Sequence, residues 1–460
     1  MLLLLTLFAL HPVFSDQDAT AAVARTSEGY AIPPAPEVPE GEPSPELVAA
    51  LDALVVGFEA GDLTPEQVEG VAQHGDPRVG WIFLDVLRFG RTGEVSDALV
   101  AGFEAATGVE LPVEGWIAGW KTAIDFLMAW DTPAMPGYVG RKARIYTALE
   151  PAWTPLFADE EATLDWRLVT WGGVFIDDRP LGETDGCPRG CIPALDDPRV
   201  TDAAGGGWYG DDEPVFGVSI GGEWRAYPKH QMETHEMVLD TLGGRRFAMP
   251  YCTLCASAQV FLVDRMPAGV EMPVLRTSGL LSRSNKVMYD LRTGSLFNTF
   301  TGEAVSGPLR ERGVRLPQVS VVTTSWGEWK AAHPETTILR EDGGIGRQYE
   351  RNPLGGRDDD GPIFPVGGVD PRLAVQERVV GVLFDGEAIA FHAEEALAAL
   401  ARGDRVARGG VSLARRGGGL TAVDGAGEPV PSHSAFWFAW SQFYPSTALW
   451  RDAEAAEGGG

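Results

Sequence analysis

Beyond Pro214 the chain is written in short strands joined by tight turns, and this grammar constrains the fold more than any other feature. Val215-Phe216-Gly217-Val218-Ser219-Ile220 runs into Gly221-Gly222 and returns as Glu223-Trp224-Arg225-Ala226-Tyr227. Two glycines allow the positive φ angles that a two-residue hairpin turn requires. Residues 379–384, Asp385-Gly386 and 388–392 repeat the pattern, as do 419–423, Asp424-Gly425 and Glu428-Pro429-Val430. Helical signals are sparse here: 229–239, 326–332 and 394–402. The expectation is a sheet-rich, mainly antiparallel domain over 191–450.

The front of the chain has a different texture. Asp52-Ala53-Leu54-Val55-Val56-Gly57-Phe58-Glu59-Ala60 returns as Asp97-Ala98-Leu99-Val100-Ala101-Gly102-Phe103-Glu104-Ala105. The offset of 45 residues lies in the period range of HEAT-type helical repeats. Between the copies, Asp76-Pro77-Arg78 opens a helical run as a cap and first-turn proline should. A small HEAT-like helical domain over 44–132 is expected, able to dock a protein partner, then a mixed connection over 133–190. The fold class is α+β.

Residues 2–10 are apolar except for Thr6, the length of a signal-peptide core and too short to span a bilayer. A signal over 1–24, a flexible Pro- and Ala-rich spacer over 25–43 and a disordered tail over 451–460 complete the domain plan. Export to the periplasm or the extracellular space follows, with no stable membrane span after signal removal. The formal charge of −28 and pI near 4.6 argue against nucleic acid as a partner. Only five residues are Lys, which fits a GC-rich bacterial genome better than a physical role.

From about 170 to 450 the chain resembles the bacterial family known as domain of unknown function 3179. The resemblance rests on Trp171-Gly172-Gly173-Val174, Ile192-Pro193-Ala194-Leu195, Asp212-Glu213-Pro214-Val215, Tyr227-Pro228 and His235-Glu236. It continues through Tyr251-Cys252-Thr253-Leu254-Cys255, Ser278-Gly279-Leu280-Leu281, Asn285, Val287-Met288-Tyr289-Asp290, His333-Pro334, Phe364-Pro365-Val366 and Ala435-Phe436-Trp437-Phe438-Ala439-Trp440. Where such proteins commonly read Asp-Gly before Ile-Pro-Ala, this chain has Gly190-Cys191. The resemblance implies an identity and no reaction.

Chemistry is expected at the cysteines. The chain has four, and in an exported protein Cys187 and Cys191, around Pro-Arg-Gly, are candidates for a structural disulfide. Cys252 and Cys255 form a C-x-x-C closing a strand, a spacing that suits a reversible disulfide or one metal ion. With His235, 17 positions earlier on a short helix, they would make a three-ligand site for zinc. The sequence-near Met232, Met237 and Met249 favour copper. Glu236, Arg276, Ser278 and Asn285 are pocket candidates. Three readings follow: a soft-metal site, an extracytoplasmic thiol–disulfide oxidoreductase, or a non-catalytic binding module braced by disulfides. Sharper motifs fail. Ser219 matches G-x-S-x-G but lies in a hairpin strand instead of a strand-to-helix elbow, and Ala256 stands where a haem c site needs His.

Overall fold

The structure is a computed structural model and describes residues 24–90, 93–357 and 359–452. The expected signal and all but the first two residues of the expected tail lie outside the described residues.

Helices Pro45–Ala60, Pro65–Ala72, Gly80–Leu87, Glu94–Thr107, Trp116–Ala129 and Tyr138–Leu149 form the front of the molecule. Ser44 caps the first through Leu47 N–H, and Asp76 accepts from Arg78 N–H ahead of the third. Both copies of the repeated string are helical, in the first and fourth helices. Helix therefore continues well past residue 132. The helical front also lacks a core of its own: Leu54, Phe83 and Phe103 share one apolar cluster with Leu280, Val287 and Leu296 of the sheet region. No helix among the described residues is long and apolar enough to cross a membrane.

Segment 25–43, expected to be a flexible spacer, is instead fastened down. Trp130 Nε1 donates to Pro33 O (2.7 Å), Val369 N–H donates to Arg25 O (3.0 Å), and Thr26 is buried. Its partners are distant backbone and side-chain groups, so its own composition gives no sign of them.

The sheet-rich part, mainly antiparallel as expected, is built twice on one plan. In the first unit Pro214–Ile220 pairs with Glu223–Pro228 around Gly221-Gly222, flanked by antiparallel Val321–Ser325 and parallel Thr337–Leu339. In the second, Arg378–Phe384 pairs with Glu387–His392 around Asp385-Gly386, flanked by antiparallel Ser432–Phe436 and parallel Ala448–Trp450. The registers correspond residue for residue: Gly217 faces Ala226 and Val322, and Gly381 faces Ala390 and His433. Both turns hold two positive-φ residues. After each hairpin comes a helix, Lys229–His235 or Ala393–Arg402, and then a second hairpin with a Gly-Gly turn at 243–244 or 417–418.

A Trp on the last helix locks each unit. Trp329 Nε1 donates to Thr336 Oγ1 (2.8 Å), and Trp440 Nε1 donates to Thr447 Oγ1 (2.9 Å). Each ring lies flat against a glycine, Gly217 or Gly381, where an added Cβ would overlap it. The glycine is required at both places because the indole occupies the side-chain volume.

The units differ in one insertion. Between Gly417 and Val430 the second unit passes from strand to strand through the short turn at Asp424. The corresponding stretch of the first, from Gly243 to Val319, is about 60 residues longer by numbering. It starts at Cys252 and contains the strands Leu275–Ser282, Asn285–Asp290 and Leu296–Asn298, which pair onward to Val169–Trp171. This inserted sheet joins the sheet units to the helical front.

Candidate functional site

Strand Arg245–Cys252 ends in a single 3-10 turn, Thr253–Cys255, closed by Ala256 at φ 48°. The turn brings Cys252 Sγ and Cys255 Sγ to 2.9 Å from each other, sharing a hydrogen bond, and both approach Ser284 O (3.8 and 3.4 Å). Ser284 lies at the tip of the inserted hairpin, where Arg283 and Ser284 both take positive φ. Both thiols are buried among Phe300, Val366, Val379, Ala435 and Trp440, apolar groups drawn largely from the second unit.

Next to this apolar wall stands an ionic one. Lys286 Nζ reaches Glu236 Oε2 (2.6 Å) and Glu236 O (2.7 Å), and Thr253 Oγ1 donates to Glu236 Oε1 (3.0 Å). Burial pushes the Cys252 thiol up. The hydrogen bond shared with Cys255, the Lys286 backbone N–H and the Lys286 ammonium outweigh burial and the opposing charge of Glu236, so Cys252 is lowered overall. Cys255 goes the other way, raised by burial and by its bond and charge contact with Cys252. The two sulfurs are thus shifted in opposite directions, Cys252 down and Cys255 up.

Three side chains around the sulfurs carry polar atoms with no hydrogen-bond partner among the described residues. These are the Ser257 hydroxyl opposite Cys252, the Ser284 hydroxyl, and both ends of the Asn285 amide. Asn285 follows Ser284 at the tip of the inserted hairpin. Glu236 is in the site. Arg276 and Ser278 are not: Arg276 is fully buried and paired with Asp196 (2.7 Å), and Ser278 Oγ donates to Val287 O (2.6 Å). Lys286 and Thr253 are not among the residues the sequence singles out. Only their position across from Glu236 marks them.

His235 does not join the thiols. The helix expected over 229–239 ends at His235, because Glu236 takes φ 52° and the chain turns into strand Met237–Leu242. That turn sends the two neighbours in opposite directions, Glu236 toward Thr253 and Lys286, His235 toward Pro193 and Tyr349. Pro193 O can only accept, so His235 Nδ1 carries the proton (2.7 Å) and Nε2 accepts from Tyr349 Oη (2.7 Å). Both ring nitrogens are thereby occupied. Burial, with Arg347 and Arg179 nearby, lowers this imidazole to about 4 despite the Pro193 contact. Met232, Met237 and Met249 are packed in other apolar clusters. The three-ligand set of Cys252, Cys255 and His235 is not assembled. Among the described residues the sole group of three ligand atoms within 4.8 Å is Asp177, Cys187 and Cys191. Cys187 and Cys191 stand at disulfide distance with Cα atoms 5.2 Å apart, while Asp177 is committed to Arg179 and Ala194 N–H.

A cleft of about 430 Å³ opens beside the thiols. Thr253, Leu254, Glu236 and Lys286 line it, with Arg88 from the helical front and Phe364 from the chain leading to Arg378–Phe384. The sulfurs themselves are buried behind this lining.

The model of the family described as "Protein of unknown function (DUF3179)" matches residues 189–424, just over half the chain, and the protein belongs to that family. The match covers the first unit and the insertion, stops before Ser432–Phe436, Trp437–Phe443 and Ala448–Trp450 of the second unit, and leaves the helical front outside. No curated protein and no solved structure matches the chain.

Proposed function

We propose that this protein is an exported thiol–disulfide redox protein whose working groups are Cys252 and Cys255. The observation that carries the reading is the polarised sulfur pair, 2.9 Å apart at a turn beside the cleft. A Cys252 thiolate attacks one sulfur of an incoming disulfide, forming a mixed disulfide and expelling a thiolate. The Cys255 thiol then loses its proton and attacks Cys252 Sγ, closing the intramolecular disulfide and releasing the second thiolate. Two electrons pass from the dithiol to the partner, and the reverse sequence oxidises a dithiol. Lys286 steadies the attacking thiolate.

Export is supported by the apolar amino-terminal run and by Cys187 and Cys191 at disulfide distance, a pairing that persists in oxidising compartments. Burial of both sulfurs favours a second reading, a non-catalytic module in which the pair only braces the turn. HEAT-like docking of a partner by the front helices belongs to that reading.

A trapping experiment separates the two. The variant Cys255→Ser should accumulate a mixed disulfide on Cys252 with glutathione disulfide, visible by mass spectrometry, and Cys252→Ser should not. Absence of adduct from folded Cys255→Ser would leave the structural reading.

A further inference from the structure

A cleft of about 950 Å³, separate from the thiols, is lined by His230 of helix Lys229–His235. Its distal wall is the loop 340–351, fastened at three points. Gln231 Nε2 donates to Arg340 O (2.8 Å) and Glu341 O (3.1 Å). Tyr349 Oη donates to His235 Nε2 (2.7 Å), and Arg351 pairs with Glu213 (3.0 Å) and donates to Trp208 O (2.9 Å). These bonds fix the wall and use up Arg351, but they leave Arg347 without a carboxylate partner. In a chain with 65 acidic and 37 basic residues an unpaired guanidinium at a fixed wall is a position of low internal competition. Its guanidinium lies over the Tyr349 ring, 5.7 Å from the centroid.

Trp208 and His230 also line the cleft, and their buried Nε1 and Nδ1 have no hydrogen-bond partner among the described residues. His230 is itself 4% exposed, and its ring meets Trp208 (6.0 Å) and Tyr349 (6.1 Å) edge-on. An indole N–H only donates, and leaving it unpaired in a buried place costs stability unless something accepts from it.

We propose that this cleft binds a small organic oxyanion, a carboxylate or a phosphate ester. Arg347 supplies the counter-charge, Trp208 and His230 donate to the oxygens, and the Trp208 and Tyr349 rings cover the non-polar body. The site does not depend on the thiol chemistry. His235 acquires a role in it: its fixed tautomer orients the Tyr349 phenol, so it is a positioning residue here.

Calorimetric titration of the full chain with phenyl phosphate, benzoate and inorganic phosphate tests this. Saturable one-to-one binding of phenyl phosphate or benzoate is expected, and whichever is tighter identifies the headgroup. The exposed, unpaired Arg347→Ala should weaken it at least about tenfold, Trp208→Phe less, and Arg408→Ala on the second unit not at all. No saturable binding of either organic probe, or binding that Arg347→Ala leaves unchanged, overturns the proposal. Inorganic phosphate binding as tightly as both overturns the part played by the rings.

Discussion

The two sheet units share register, turn geometry and tryptophan lock, yet only one carries the Cys252–Cys255 turn and the insertion. At the end of its second hairpin the second unit makes a short turn in which Asp424 accepts from Ala426 and Glu428 N–H (2.8 and 2.9 Å). The first unit has the dithiol turn at that place, and the insertion folds back over it with Ser284 and Lys286. The scaffold is therefore not what makes the site. A duplicated sheet provides a stable strand end, and the inserted hairpin supplies the Lys286 backbone N–H and ammonium that help lower Cys252. The bare unit still contributes, because Val379, Ala435 and Trp440 enclose the thiols from the other side.

The comparison can be broken most forcefully at the locks. Trp329→Ala and Trp440→Ala each empty a fully buried indole volume and should each cost about 3–5 kcal/mol, measured by denaturant unfolding. Similar costs would support equivalence. Only Trp440→Ala should also speed alkylation of the native thiols, since only that ring is in their cluster. A large inequality in cost, or equal effects on the thiols, would break the correspondence.

Next in size is the joint between the helical front and the second unit. Asp125 is fully buried and accepts from Val366 and Gly367 N–H (2.7 and 2.6 Å) on the chain leading to Arg378–Phe384. Burial raises its carboxyl to about 6, against the opposing pull of Lys121 and those N–H groups. A raised carboxyl contributes stability that is complete below its unfolded value, near 4, and is lost as pH rises through about 6. The slope is at most about 1.4 kcal/mol per pH unit. Asp125→Asn should remove that component between pH 4 and 6; an unchanged profile would show that the joint does not titrate.

The smallest expected effect sharpens the role of the insertion. Lys286→Met should slow iodoacetamide modification of Cys252 at pH 7 several-fold by disfavouring the thiolate, and Lys286→Arg should restore part of the rate. Equal rates in all three proteins would assign the lowering of Cys252 to the Cys255 bond and the Lys286 backbone N–H.

Much of the scaffold was legible in the sequence. Gly221-Gly222 and Asp385-Gly386 announce their hairpins because few other pairs accept two positive φ angles. The duplication was legible but unnoticed. V-x-G-V-x3-G-E occurs at Val215 and Val379, and W-x2-W-x4-P-x-T at Trp326 and Trp437, two spaced patterns that coincide with the hairpin and the lock. The failures have a common physical origin. Glu236 breaks the helix with a left-handed conformation in a residue that does not advertise it, and that single torsion moves His235 away from the thiols. Segment 25–43 is held by backbone carbonyls, which no composition encodes. The cleft around Trp208, His230 and Arg347 is assembled from three distant stretches whose proximity only the fold creates.

The central claim is that the dithiol turn is a working redox couple and not a brace. Equilibrating the native protein with glutathione or dithiothreitol buffers, and counting free thiols at Cys252 and Cys255, measures it directly. A reversible two-electron couple between about −300 and −120 mV is predicted, the span of catalytic dithiols. A potential below about −300 mV, or thiols that exchange only on unfolding, would contradict it.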